Sequence, residues 1–135
     1  MRSRSAILEQ QFVGEGSYDL CLRIGELVIL QEKTGVGPMV LATRIFSGEY
    51  FIHDIIETIR LGLIGGGMKH EEARKLVDNY VVPGYFGDYV GIAGNLLYAA
   101  ISGVEDEPLP GEAMTPTMIQ EDWSLGVDST DGAEL

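Results

Sequence analysis

The chain has 135 residues, 45% of them apolar and 22% charged, which is the composition of a soluble globular protein with one small domain. Its net charge of −12 argues against a nucleic-acid-binding surface, which needs clustered Lys and Arg, and against binding to an anionic membrane. The single cysteine, Cys21, excludes an internal disulfide and fits a reducing compartment. No apolar stretch reaches the roughly 18 residues of a membrane span, and we expect no signal peptide at the basic N-terminus.

The charge is concentrated at the C-terminal end. Residues 1–103 carry all nine Lys and Arg residues and twelve acidic residues, a net charge of −3, whereas residues 104–135 carry nine acidic residues and no Lys or Arg. A segment of that composition buries too little apolar area to offset the entropy cost of ordering it. We therefore predict a small helical domain over residues 1–103 and a disordered acidic tail over residues 104–135.

The domain begins with a predicted β-hairpin. Apolar and polar residues alternate over 18–22, which is the period of a half-buried strand and places Cys21 on its polar face. Residues 6–13 form a weaker candidate strand, and Gly14-Glu15-Gly16 is a plausible connection between the two.

About five helices follow the hairpin, so the predicted fold class is mainly α. The first spans 24–33, with a stripe of Ile24, Leu27, Val28 and Gln31 and a stop at Thr34-Gly35. The second begins at Pro38, where the missing N–H of proline costs nothing, and stops at Ser47-Gly48.

The remaining three helices have clearer apolar stripes. The third predicted stripe consists of Ile52, Ile55, Ile56, Ile59 and Leu63 and ends at Gly65-Gly66-Gly67. The fourth consists of Ala73, Leu76, Val77, Tyr80 and Val81, before Pro83-Gly84. The fifth helix spans about 86–102, with a stripe of Phe86, Tyr89, Val90, Ala93, Leu97, Ala100 and Ile101.

The glycine-rich segment 62–67 invites a phosphate-binding interpretation, but its context argues against one. A phosphate loop follows a strand and opens a helix, so that backbone N–H groups face the anion. Here the glycines follow a helix, and Lys69 has no Ser or Thr after it. We interpret the segment as a helix stop and a flexible joint.

No other residues form a set with recognisable chemistry. His53 and His70 lack partners at the spacing of a zinc site, and no nucleophile signature surrounds Cys21. Glu71 and Glu72 are adjacent on a helix and cannot face each other, and an acidic first turn already suits the helix dipole. We therefore expect no enzymatic activity, no cofactor and no metal.

Two sets of residues are candidates for binding a protein partner. Tyr85 and Tyr89 belong to an aromatic cluster with Tyr80, Phe86 and Tyr98, for which core packing is the default and interface use the alternative. The second set lies in the acidic tail and comprises Met118, Ile119, Trp123 and Leu125, which could dock as one or two helical turns. The alternative for this set is a solvated tail with incidental apolar residues.

The arrangement of glycines and apolar residues resembles the gene transfer agent family of small phage-tail proteins. The resemblance covers roughly residues 13–103 and rests on segments 24–32, 34–37, 54–63, 65–67 and 71–78. That family is similar to phage tail assembly chaperones and has also been labelled a tail tube protein. The tube label fits a mostly helical chain less well.

The resemblance implies a chaperone that binds the tape-measure protein, a long helical protein, and keeps it soluble until tube subunits polymerise around it. It also implies other tail proteins as partners, location in the cytoplasm of a bacterial host, and association with phage-like particles. Two alternatives stay open: a structural tail subunit, and a small regulatory adaptor that acts through its acidic tail. A homo-oligomer is also left open.

Overall fold

The computed structural model describes residues 4–105, and the predicted disorder of the acidic tail falls almost wholly outside this part of the chain. Four strands and five helices follow in the order β1 (Arg4–Ser5), β2 (Ile7–Val13), β3 (Gly16–Cys21), α1 (Ile24–Thr34), α2 (Pro38–Ser47), α3 (Ile52–Gly65), α4 (His70–Tyr80), α5 (Gly87–Ser102) and β4 (Val104–Glu105). The predicted fold class, an N-terminal hairpin followed by helices, is confirmed for these residues.

The N-terminal hairpin pairs β2 with β3 in antiparallel register, from Ile7 opposite Cys21 to Val13 opposite Gly16. The register shifts between Leu8 and Gln11, where Gln10 has a positive φ of 54°. The Gln10 N–H donates to the carboxylate of Asp19 at 3.0 Å, which gives the displaced backbone a partner across the hairpin. The short strands β1 and β4 form a second two-stranded sheet.

The glycines that were predicted to stop α1 and α2 do so. Gly35 and Gly48 follow these helices in the left-handed conformation, with φ of 78° and 84°. The Gly35 N–H donates to the carbonyl of Gln31 at 2.9 Å and so closes the last turn of α1. Pro38 is the first residue of α2, as the sequence indicated.

Helix α3 lies at the centre of the domain, in contact with α1, α4, α5 and β3. Ile55, Ile59 and Leu63 of the predicted stripe are fully buried, but Ile52 is 64% exposed. The prediction was wrong for Ile52 because it is the first residue of the helix and precedes the first packed turn. Burial also extends around the helix to Leu61 and Ile64, since neighbours cover α3 on several sides.

The predicted stripe of α1 was also wrong except at Leu27, which is half-buried and packs against the core. Ile24, Val28 and Gln31 are exposed, whereas Glu26 and Leu30 are buried. The buried carboxylate of Glu26 accepts the backbone N–H of Arg23 at 3.0 Å and its guanidinium at 2.6–2.8 Å. Glu26 faces the core and also accepts the free N–H at the helix start. The helix is therefore oriented with Glu26 inward, and part of its apolar face is left toward solvent.

The Arg23 side chain, which donates hydrogen bonds to Glu26, holds the pKa of that carboxyl below its ordinary value of 4.5. A depressed folded-state pKa adds stability that is fully present above the unfolded-state pKa and is lost as pH falls through the folded-state pKa. We therefore expect wild type to exceed Glu26→Gln in stability at neutral pH and the two to converge in acid. Urea titrations across this pH range measure the difference, and parallel curves would contradict the expectation.

The sequence placed Cys21 on the polar face of β3, and this prediction was wrong because the strand ends in the core. Cys21 is buried because the backbone of β3 lies directly against the last residues of α3. A Cβ atom added to Gly65 would lie 1.8 Å from the carbonyl oxygen of Cys21, and one added to Gly66 would lie 2.0 Å from that of Asp19. These two glycines therefore allow the strand and the helix to approach more closely than any side chain would permit.

Candidate partner-binding surface

An apolar groove runs between α2 and α5 on the surface of the domain. It encloses about 470 Å³ and has far more apolar than polar lining. The lining residues are Met39, Ala42, Thr43, Phe46, Ser47, Tyr98 and Ile101. We call this feature the α2–α5 groove. Contiguous exposed apolar surface bordered by polar residues is a feature of sites that contact another molecule.

The groove exists because α2 is apolar on more than one face. Leu41, Ala42 and Ile45 are buried and face the core. Met39 and Phe46 are nevertheless about 60% exposed, on a helix that carries one charged residue. A helix that only had to bury one stripe would carry polar residues there.

A glycine in α5 allows the groove residue Phe46 to pack closely against that helix. A Cβ atom added to Gly94 would lie 2.8 Å from the ring of Phe46 and 3.4 Å from Ile45. The aromatic ring of Phe46 therefore lies over the backbone of α5 while most of its surface stays open to solvent. Tyr98 and Ile101, one and two turns further along α5, complete the wall.

Charge is absent from the groove itself. Arg44, the one charged residue of α2, donates to the carboxylate of Asp54 at 2.9 Å, and its guanidinium lies 5.0 Å from the ring centre of Phe51. Asp88, the one charged residue of α5, lies in its first turn. Glu49 lines an adjoining pocket beside Met39 and Arg44 and has no salt bridge within the described part of the chain.

The buried face of α5 differs in part from the predicted stripe, and Tyr98 of the aromatic cluster is 60% exposed instead of packed in the core. Ile101 was assigned to the core stripe of α5 but is 40% exposed, and Leu96, which was left out of that stripe, is fully buried. Ala93 and Leu97 are buried as predicted. The stripe is displaced because α5 packs against α2 and β2 as well as α3, so its buried arc is wider than one stripe.

The two tyrosines predicted to bind a partner lie in different environments. Tyr89 is buried, and its hydroxyl accepts the backbone N–H of Gly14 at 3.1 Å, which ties the hairpin turn to α5. Tyr85 is 60% exposed in the turn before α5, outside the α2–α5 groove. Partner binding through Tyr85 or Tyr89 stays a prediction, and exposure favours Tyr85. Met118, Ile119, Trp123 and Leu125 lie outside the described residues.

The glycine-rich segment ends α3 at Gly65, and Gly67 follows with a φ of 117°. The shallow pocket beside it is lined by Asp19, Glu72, Gly66 and other residues, so two acidic side chains border it. An anion would meet repulsion there instead of the converging N–H groups of a phosphate site. The interpretation of these glycines as a helix stop is confirmed.

The remaining candidates for chemistry are the cysteine and the two histidines. Among residues 4–105, no group of three or more His, Cys, Asp or Glu side chains comes close enough to hold a metal ion. Burial raises the pKa of the Cys21 thiol, with a further rise from nearby Glu26, whereas a reactive cysteine needs a lowered pKa. His53 and His70 are exposed in the first turns of α3 and α4. No helix in the described part of the chain is long and apolar enough to cross a membrane.

The described residues form a small, mainly α domain with an N-terminal hairpin and an exposed apolar groove. A family model described as "Phage tail tube protein, GTA-gp10" matches residues 9–103. The chain therefore belongs to this family of phage-tail proteins, in agreement with the resemblance to gene transfer agent proteins seen in the sequence. The comparisons with curated proteins and with solved structures gave no match.

Proposed function

We propose that this protein is a tail assembly chaperone that has no enzymatic activity and binds the tape-measure protein through the α2–α5 groove. The exposed apolar groove is the observation that carries the proposal. It offers Phe46 and Tyr98 as aromatic anchors, the residue type that contributes most to binding energy at interfaces. A groove between two helices is also the usual docking site for an apolar helical segment.

The chaperone role gives the acidic tail a function. A tape-measure protein is long, helical and apolar on its exposed surface, so it aggregates unless a partner covers it. A bound chain with a net charge of −12 would keep the complex soluble and discourage self-association. The proposal places the protein in the cytoplasm of a bacterial host while tails are being assembled.

Co-expression with a tape-measure fragment tests this function. We expect the fragment to be insoluble alone and to form a soluble complex with the wild-type protein. Tyr98→Ser should weaken the complex about tenfold, because it removes an aromatic anchor from the groove. Tyr85→Ser is the matched control, since Tyr85 and Tyr98 are both 60% exposed and only Tyr98 lines the groove.

Each result of this experiment has a separate meaning. A fragment that stays insoluble with the wild-type protein would exclude the chaperone function. A complex that is lost with Tyr85→Ser but kept with Tyr98→Ser would move the binding surface to the turn before α5. Pull-down of the fragment at a series of protein concentrations gives the change in affinity.

A structural subunit of the tail is the second candidate, and the description of the matching family as a tube protein favours it. A tube subunit stays in the finished particle in many copies, whereas a chaperone leaves when the tube forms. Quantitative mass spectrometry of purified particles distinguishes the two. Many copies per particle would support the subunit, and absence would support the chaperone.

A further inference from the structure

We infer that the α2–α5 groove binds its partner helix in one direction, with a basic residue of that helix beside Glu49 and an acidic residue beside Arg4. This inference rests on the proposed function and adds the charge pattern that the tape-measure helix needs at the same site. Three properties of the described residues support it: the groove has two distinct ends, its length between them is uncharged, and the ends carry charges of opposite sign.

The two ends of the groove are defined by its contacts along α5. Phe46, the penultimate residue of α2, packs against Gly94, since a Cβ atom added to that glycine would lie 2.8 Å from the Phe46 ring. Ile101 lies seven residues further along α5, in its last turn. Seven residues of helix rise about 10 Å, so the ends are about two turns apart and a helix of similar length spans them.

The Phe46 end of the groove carries a negative charge. Glu49 is exposed and lies two residues after Ser47, which lines the groove at this end. Glu49 and Ser47 also line the adjoining pocket, which shares Met39 and Thr43 with the groove. The C-terminal end of α2 adds its partial negative charge. A Lys or Arg at this end of a bound helix would therefore be attracted.

The Ile101 end of the groove carries a positive charge. The guanidinium of Arg4 donates to the carbonyl oxygen of Ser102, the residue after Ile101, at 3.4 Å. The side chain of Arg4 also packs on Gly103, where an added Cβ atom would lie 3.0 Å from it. Arg4 is held at this end because β1 pairs with β4, directly after α5. An Asp or Glu at this end of a bound helix would be attracted.

The groove between the two ends excludes charge. A charged side chain placed against Phe46, Ala42 or Tyr98 would lose hydration without meeting an opposite charge. Arg44, beside the groove, is already paired with the buried Asp54. The partner therefore presents an apolar stripe to the groove and carries its charges at the two ends. A helix bound in reverse would bring like charges together at both ends, which selects one direction.

Two synthetic peptides with one apolar stripe and the same composition test the inference on the full-length protein. Both are helices of three to four turns with two Lys and two Glu residues. The first peptide has both Lys residues at one end and both Glu residues at the other, whereas the second has one of each at both ends. Their equal net charge gives equal attraction to the acidic chain as a whole. In fluorescence anisotropy at low salt, the first should bind about three- to tenfold more tightly, and the difference should shrink as salt rises.

A spin label at the Lys end of the first peptide reports its direction, because it broadens the nearest backbone amide signals in NMR spectra of the protein. We expect the Gly48 signal, next to Glu49, to broaden more than the Gly103 signal, beside Arg4. The combined substitution Glu49→Lys and Arg4→Glu exchanges the charges of the two ends. The peptide should then bind with similar affinity in the reverse direction, so that the Gly103 signal broadens more.

Two further variants identify the residues responsible. Glu49→Gln combined with Arg4→Gln should bring the two peptides to equal affinity, since neither end then carries a charged side chain from this pair. A difference that persists would contradict the assignment to Glu49 and Arg4. Tyr98→Ser should weaken both peptides about tenfold, because it removes an aromatic anchor from the groove. Binding that ignores Tyr98→Ser would overturn the inference, since the peptides would then bind elsewhere.

Failure of this inference is distinguishable from failure of the proposed function. Equal affinity of the two peptides for the wild-type protein, or an unchanged direction in the charge-exchanged variant, would overturn the inference and leave the chaperone proposal standing. A tape-measure fragment that stays unbound, while the first peptide binds in the expected direction, would exclude the chaperone function and keep the inference about the groove.

Discussion

Replacing Gly65 with alanine is expected to destabilise the domain strongly. The new Cβ atom would lie 1.8 Å from the carbonyl oxygen of Cys21, and the obstacle is backbone, which cannot rotate away as a side chain can. Strand β3 would have to separate from α3. Overpacking of a well-packed interior costs about 1–3 kcal/mol and occasionally more, and we expect a value at the upper end.

Thermal unfolding followed by circular dichroism measures this loss. A change of about 3 kcal/mol in a domain of about 100 residues corresponds to a fall of roughly 12–24 °C in the midpoint. Gly66→Ala should give a similar result, because its Cβ atom would lie 2.0 Å from the carbonyl oxygen of Asp19. Wild-type stability in both variants would show that β3 does not approach α3 this closely.

Gly91→Ala is the matched control for the effect of an added methyl group in a helix. Gly91 lies in the interior of α5, is exposed, and would have nothing within 4 Å of an added Cβ atom. Alanine there should raise the free energy of unfolding by about 0.5–1 kcal/mol, since it lowers the backbone entropy of the unfolded chain. The opposite signs at Gly65 and Gly91 would isolate the close approach as the cause.

The glycines also show which parts of the fold could be predicted from the sequence. Their role as helix stops was predictable at Gly35 and Gly48, because a left-handed residue after a helix favours glycine in any protein. The role of Gly65 and Gly66 in packing was not predictable. It depends on a strand about 45 positions earlier in the chain, and no local pattern reports such a contact.

The buried faces of the helices were likewise predictable in some helices and not in others. The stripe of α4 was predictable, since Ala73 and Val77 are buried on a helix with polar residues elsewhere. In α1 the apolar residues outnumber the buried positions, and the orientation depends on the buried carboxylate of Glu26. Hydrophobic spacing alone predicts that the apolar face is buried. It does not predict that an acidic residue faces the core because it caps the N-terminus of the helix.

The α2–α5 groove was missed, although the sequence of α2 contained a signal for it. Only Arg44 interrupts the apolar and small residues of this helix, and Met39 and Phe46 had no assigned partner in the core. An excess of apolar residues over what one buried face needs is a reason to expect a second contact surface. The position of Tyr98 in the groove wall was harder to predict from the sequence, because it depends on where α5 crosses α2.

Asp54→Asn is expected to cause the second large loss of stability, because it removes the charge from a buried ion pair. Asp54 is 1% exposed, and its carboxylate accepts hydrogen bonds from Arg44 at 2.9 Å and from the backbone N–H of Phe51 at 2.8 Å. The substitution leaves the mostly buried guanidinium of Arg44 without a counter-charge. Losing one partner of a buried pair costs about 3–5 kcal/mol.

A double-mutant cycle with Arg44→Met distinguishes this explanation from a general defect in packing. If the stranded charge causes the loss, Asp54→Asn should cost much less when Arg44 is already methionine, with a coupling energy of about 1–3 kcal/mol. Glu26→Gln is the matched control, since its partner Arg23 is 64% exposed and a solvated partner tolerates the loss. Additive losses in the cycle would contradict the assignment. In that case the contribution of Asp54 would lie in its hydrogen bond to the start of α3, next to the groove-bearing helix α2.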